Sequence, residues 1–140
     1  MEYRNLVKEK GILAFTPGGS SMRPMLVHHN NPVIVESIDK SKKPQKYDVV
    51  FFQRDDGKYV LHRIISEKGN LYTCCGDGQT NPEYGVRDDM IFAVLIGYYK
   101  GDRYIDVRKN ISYKIYSRLR VASLPIRKLY SNVISYLRHI

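Results

Sequence analysis

Ser21 follows two glycines, in Gly18-Gly19-Ser20-Ser21-Met22-Arg23-Pro24. A serine hydroxyl is a weak nucleophile at neutral pH. To carry out acyl transfer it needs a base to take its proton and donors to hold the oxyanion. It also needs an irregular segment from which Oγ can project. Gly18 and Gly19 supply one, because glycine permits positive φ and close approach of backbone to substrate, and Pro24 stiffens the exit. Many loops of this composition do no chemistry, so the base decides. The histidines are His28, His29, His62 and His139. His28 and His29 fall in a polar loop, and His139 lies at a fraying end. His62 sits inside Tyr59-Val60-Leu61-His62-Arg63-Ile64-Ile65, which otherwise has the composition of a core strand. A satisfied core histidine and a general base both fit that place. A desolvated lysine is the other type of base.

The elements that would position this pair are mostly strands. Val33–Ser37, Val49–Gln53, Lys58–Ser66, Leu71–Cys75 and Ile91–Tyr99 are rich in β-branched and aromatic residues, which favour a pleated surface. Asp55-Asp56-Gly57 and Lys68-Gly69-Asn70 are hairpin turns by composition, and Arg103–Val107 adds a last strand. Residues 2–10 form a short helix ended by Gly11. Ile12–Thr16 is a short apolar stretch leading into the glycine loop. The tail changes period. From Ile126, at about 100° per residue, Ile126, Leu129, Tyr130, Val133, Ile134, Tyr136, Leu137 and Ile140 share one side of a helix. Arg127, Lys128, Ser131, Asn132, Ser135, Arg138 and His139 share the other. Pro125 suits its first turn. Residues 111–124 carry a weaker stripe of Ile111, Ile115, Leu119 and Ala122.

Composition narrows the function classes. At 140 residues, 43% hydrophobic and 26% charged, the chain has the make-up of one globular domain. No apolar run approaches the ~18 residues of a membrane span, and no apolar segment follows the charged N-terminus as in a secretory signal, so the expected location is the cytoplasm. Cys74 and Cys75 are adjacent and make no disulfide framework. The net charge is +9, and residues 101–140, with nine Lys/Arg against two acids, supply +7 of it. The basicity therefore belongs to the tail. A basic amphipathic helix of this kind can lie peripherally on an anionic membrane surface or cover the β body. No zinc spacing, phosphate-binding glycine loop or nucleic-acid recognition motif is present, so no metal, cofactor or nucleic acid is expected.

Four segments in order resemble one family. Gly19-Ser20-Ser21-Met22-Arg23-Pro24 is similar to the Ser-Met-x-Pro box around the nucleophile of signal peptidases and the related LexA-type self-cleaving peptidases. Tyr47-Asp48-Val49-Val50-Phe51-Phe52 resembles their Gly-Asp-Val-Val strand. Val60-Leu61-His62-Arg63-Ile64-Ile65 resembles the strand that carries the base, and Gly76-Asp77-Gly78 the Gly-Asp box. Ile91–Gly97 resembles the closing strand, so the likeness covers about residues 12–100.

The resemblance implies a mainly β fold: a coiled, partly barrel-like sheet domain over 1–107, with 108–140 as a basic amphipathic helical tail. It implies a serine endopeptidase with Ser21 as nucleophile and His62 as base, acting on a leader, signal-like or self peptide. Bacterial members carry lysine as base, whereas archaeal and endoplasmic-reticulum signal peptidases carry histidine with an orienting acid. Asp77 and Glu83 are the two candidates for that acid here. Gly19, Ser20 and Met22 would border the oxyanion and substrate site. Gly19 stands where many relatives have Ser or Thr, which leaves backbone N–H groups and the Ser20 hydroxyl as donors. The membrane span usual at the N-terminus of signal peptidases is absent. The alternative is a peptidase fold without catalysis, serving as a binding or scaffold protein at a membrane surface or on nucleic acid.

Overall fold

β-branched and aromatic segments joined by strong turns between residues 12 and 106 produce one antiparallel sheet. The computed structural model describes residues 2–27, 29–38 and 41–140, so His28 lies outside the described residues. The elements are α1 (Tyr3–Lys10), β1 (Ile12–Phe15), β2 (Val33–Ser37), β3 (Val49–Gln53), β4 (Tyr59–Lys68), β5 (Leu71–Cys75), β6 (Glu83–Arg87), β7 (Ile91–Lys100), β8 (Arg103–Asp106), α2 (Ile111–Ala122) and α3 (Leu124–Arg138). The strand order is β1-β2-β7-β3-β4-β5-β6, with β8 also paired to β7. The protein is thus mainly β, an open eight-stranded sheet followed by a helical region.

β7 is the spine. It pairs with β2 over Ala93–Tyr98, with β3 over Ile91–Val94 and with β8 over Gly97–Lys100. Register shifts place extra residues on β7, against β2 and β3, on β4 and on β6, and such bulges bend the strand that carries them and increase its twist. The two sheet faces carry separate cores. Val7, Met22, Met25, Leu26, Val49, Phe51 and Leu61 belong to one. Val50, Phe52, Val60, Ile64, Tyr72 and Cys74 belong to the other.

Two strands differ from the sequence expectation. Ile12–Phe15 is a true edge strand paired with β2, and Glu83–Arg87 forms β6 against β5. The second was hidden because only Val86 in it is buried, and Gly85 interrupts its pattern at φ +72°.

α2 docks by its polar and aromatic side. Tyr113 and Ser117 are buried, whereas Ile111, Ile115 and Leu119 face solvent. What draws α2 in is a buried charge pair. Arg63 of β4 and Asp77 are 1% and 2% exposed. Arg63 Nε donates to Asp77 Oδ1 and Nη2 to Oδ2, both at 2.8 Å. Arg63 Nη1 donates to the Tyr47 carbonyl and to the Tyr113 hydroxyl. The Tyr116 hydroxyl donates to Asp77 Oδ2 at 2.8 Å. Burial opposes the charge on Arg63, but Asp77 and Tyr113 together outweigh it and the guanidinium pKa is raised. Tyr47, which donates its own N–H to Ile64 O, is held at φ +83°, a strained backbone for a bulky residue.

Removing one partner of such a pair strands the other charge. Asp77→Ala should lower the unfolding free energy by about 3–5 kcal/mol in urea titration. The double variant Arg63→Met/Asp77→Leu should recover much of that loss. A single-variant effect near zero would contradict the account.

Candidate active site

The position of Ser21 follows from the glycines of Gly76-Asp77-Gly78. β5 ends at Cys75, whose partner on β4 is Arg63. A Cβ built on Gly76 would lie 2.3 Å from the Ser21 carbonyl oxygen, and one on Gly78 would lie 2.8 Å from the Ser20 oxygen. Gly78 N also donates to Ser21 O at 2.8 Å. Ser21 and His62 line a single cleft of about 360 Å³. Ser21 is half-buried and His62 is 6% exposed.

The cleft is open along β4 for a simple reason. β5 pairs with β4 only from Arg63 onward, so Tyr59–His62 have a neighbour, β3, on one edge alone. Across the cleft stand Phe15, Thr16, Pro17, Gly18 and Gly19, at the end of edge strand β1. Gly19 has φ +84° and contributes no side-chain donor. Met22 lines the cleft and is buried in the core below it. Ser20 does not line the cleft. It is exposed, and its carbonyl accepts from Arg23 N.

His62 is poised as a neutral imidazole. Burial pushes its pKa down to about 4, opposed chiefly by the Glu83 charge. Its Nδ1 is buried with no hydrogen-bond partner among the described residues. Neither expected acid occupies that nitrogen. Asp77 follows Gly76 in the chain and turns to the opposite face, where Arg63 and Tyr116 engage its carboxylate. It is a positioning group beneath the site and not the partner of His62. Glu83 is opposite Cys74, which packs in the same core as Val50 and Ile64, so Glu83 shares the His62 face. Its carboxylate is held by Arg54, with Nε donating at 3.2 and 3.1 Å and Nη2 at 2.7 Å. No hydrogen bond joins Ser21 to His62 among the described residues, and catalytic pairs in empty sites are often long.

Sequence reasoning missed Arg54, which lines the cleft, because nothing in a hairpin arginine marks it. It also missed Arg63, Tyr116, Arg120 and Arg127. Arg120 Nε donates to Asp77 O, and Arg127 Nη1 donates to Asp77 O and Gln79 O. These two arginines fasten the helices to the glycine box. Arg63 stood beside His62 in the strand motif, and an arginine in an otherwise apolar run was a signal for a buried counter-ion. Cys74 and Cys75 are buried free thiols. No group of His, Cys, Asp and Glu that could hold a metal occurs among the described residues. Comparison with protein-family models, curated proteins and solved structures found no match.

Two outcomes follow. The folded-state pKa of His62, about 4, lies below its ordinary 6.5, so the unfolded chain binds the proton first as pH falls. The His62 contribution is full above about pH 6.5 and is lost toward pH 4, by about 3 kcal/mol. Denaturation across that range should show a slope in wild type that His62→Gln lacks; parallel curves would refute the burial argument. Gly76→Ala should displace Ser21 and destabilise the fold by about 1–3 kcal/mol, measured by thermal unfolding. An unperturbed Gly76→Ala protein would contradict the packing of Ser21 on Gly76.

Proposed function

We propose that this protein is a serine endopeptidase of the signal-peptidase type. The carrying observation is that Ser21, packed on Gly76, and His62 line the same cleft. In the reaction Ser21 Oγ attacks a peptide carbonyl while His62, neutral at pH 7, takes its proton. His62 returns that proton to the leaving amine. Water then attacks the acyl-enzyme, and the same histidine accepts its proton. Backbone N–H groups of the Gly18–Ser21 turn hold the oxyanion.

The substrate is an extended peptide. The end of edge strand β1 and the open edge Tyr59–His62 face each other across the cleft, and such edges bind chains by strand addition. Phe15, Met22, Leu26, Phe51, Tyr59 and Leu61 line the cleft between them, which favours an apolar side chain next to the cleaved bond. A leader or signal-like segment has that character.

A second reading has one observation in its favour. Both acids are held by arginines and Nδ1 of His62 has no partner, an arrangement that suits a non-catalytic scaffold with the same cleft. A serine-directed phosphonate probe separates the two. Labelling of wild type and not of Ser21→Ala supports the peptidase; no labelling of either supports the scaffold.

With peptide pools, Ser21→Ala and His62→Ala should each reduce cleavage by roughly 10³-fold or more. The acid limb of kcat/KM should fall near the pKa of His62 in the free enzyme, about 4. Equal cleavage by all three proteins would overturn the proposal.

A further inference from the structure

The helices leave a long apolar face uncovered. Ser123 lies between them in right-handed helical conformation, and Ser123 N donates to Leu119 O while Arg127 N donates to Ser123 O. The helical path therefore continues across the junction, broken only by the missing N–H of Pro125. A single wheel can be carried through at about 100° per residue. Tyr113, Tyr116, Ser117, Arg120, Leu124 and Arg127 fall on one side. These residues include every buried position of the two helices and the arginines that grip the glycine box. On the opposite side fall Ile111, Ile115, Leu119, Ile126, Leu129, Val133, Leu137 and Ile140. All are exposed, with Ile111 and Ile126 at 72% and Leu119 and Leu129 near it at 63% and 64%. Tyr130 and Tyr136, at 69% and 68% exposure, border that stripe. Beyond Leu124, α3 buries no residue.

Charge says what covers this face. Residues 107–140 contain eight Lys/Arg and no Asp or Glu. Among the described residues no salt bridge engages Lys109, Lys114, Lys128 or Arg138, and Arg118 rests on the Tyr47 ring. Lys114 and Arg118 flank the stripe on the wheel, and with no Asp or Glu on the helices a second copy placed face to face would offer them no carboxylate. An anionic bilayer meets both demands, taking apolar side chains at the acyl boundary and cations among its phosphates. Tyrosines suit the headgroup level. No helix among the described residues is long and apolar enough to cross a membrane, and the α2–α3 stripe fits a helix that lies in the interface plane.

We propose that the outward face of α2–α3 docks the protein on anionic lipid. The proposal is independent of the peptidase reading. Because Arg120 and Arg127 tie the helices to Asp77 and Gln79, and Gln79 lines the cleft, docking also fixes the cleft relative to the lipid surface.

The chain has no tryptophan, so one introduced residue reports alone. Full-length Leu137→Trp should shift its emission to the blue with phosphatidylglycerol/phosphatidylcholine vesicles. Ser131→Trp, on the docked side of the wheel, should shift less. Sedimentation with the same vesicles should fall roughly ten-fold for Leu129→Glu/Leu137→Glu, and also at high salt or with pure phosphatidylcholine. Both substituted leucines are exposed, so folding is retained, as circular dichroism will check. Absent vesicle binding, binding unchanged in the double variant, or a lipid-free dimer that this variant dissociates would each overturn the proposal.

Discussion

The Arg63–Asp77 pair is the constraint on which the other parts depend. Two fully buried charges are expensive to desolvate, and their attraction offsets that cost only with good geometry and every remaining donor and acceptor used. Those conditions recruit distant segments. Tyr47 supplies a carbonyl, Tyr113 and Tyr116 supply hydroxyls from α2, and Met25 places its sulfur 3.5 Å from Arg63 Nη2. With Arg63 committed to one face of β4, strand alternation commits His62 to the other. With Asp77 turned inward, Gly76 and Gly78 are pressed against the backbone of Ser20 and Ser21. One ion pair thus sets the face of the histidine and the height of the serine loop.

Much of the sheet was legible because its strands are rich in β-branched and aromatic residues and end at strong turns. Val33–Ser37, Val49–Gln53 and Leu71–Cys75 end where their composition changes. β6 was not legible, since an exposed strand containing glycine has no alternation to read. The tail shows a different limit. A helical wheel identifies two faces, but it does not say which is docked. In α2 the apolar stripe points outward, because Arg63 and Asp77 attract hydroxyls and an arginine more strongly than a plain apolar surface attracts isoleucine. Tyr47 stands where the resembled strand has glycine, and it adopts φ +83°, the conformation glycine takes without strain.

At the site, the residue types were legible and their pairings were not. Ser21 and His62 stood out because a glycine turn and a histidine in an apolar strand are unusual settings. The acids were ambiguous because sequence order places Asp77 and Glu83 near the histidine strand without saying which arginine each will meet. Arg63 takes Asp77 on one face and Arg54 takes Glu83 on the other. Carboxylates near arginines form bidentate pairs in preference to single bonds with a neutral imidazole.

That competition sets the strength of the proposed base. A histidine with a pKa near 4 is always available to accept a proton at neutral pH, but it gives little driving force to take one from a serine. The imidazolium formed during attack has to be stabilised from its own face, since Asp77 is already committed below. Glu83 is the carboxylate on that face, and it is half-neutralised by Arg54. Arg54 lines the cleft beside His62, where a bound peptide offers carbonyl oxygens to a guanidinium. On the peptidase reading, each contact that drew Arg54 toward the peptide would leave more of the Glu83 charge to His62, and the base would strengthen with substrate bound. The residue that competes for Glu83 in the empty site would then be the one through which substrate activates the pair.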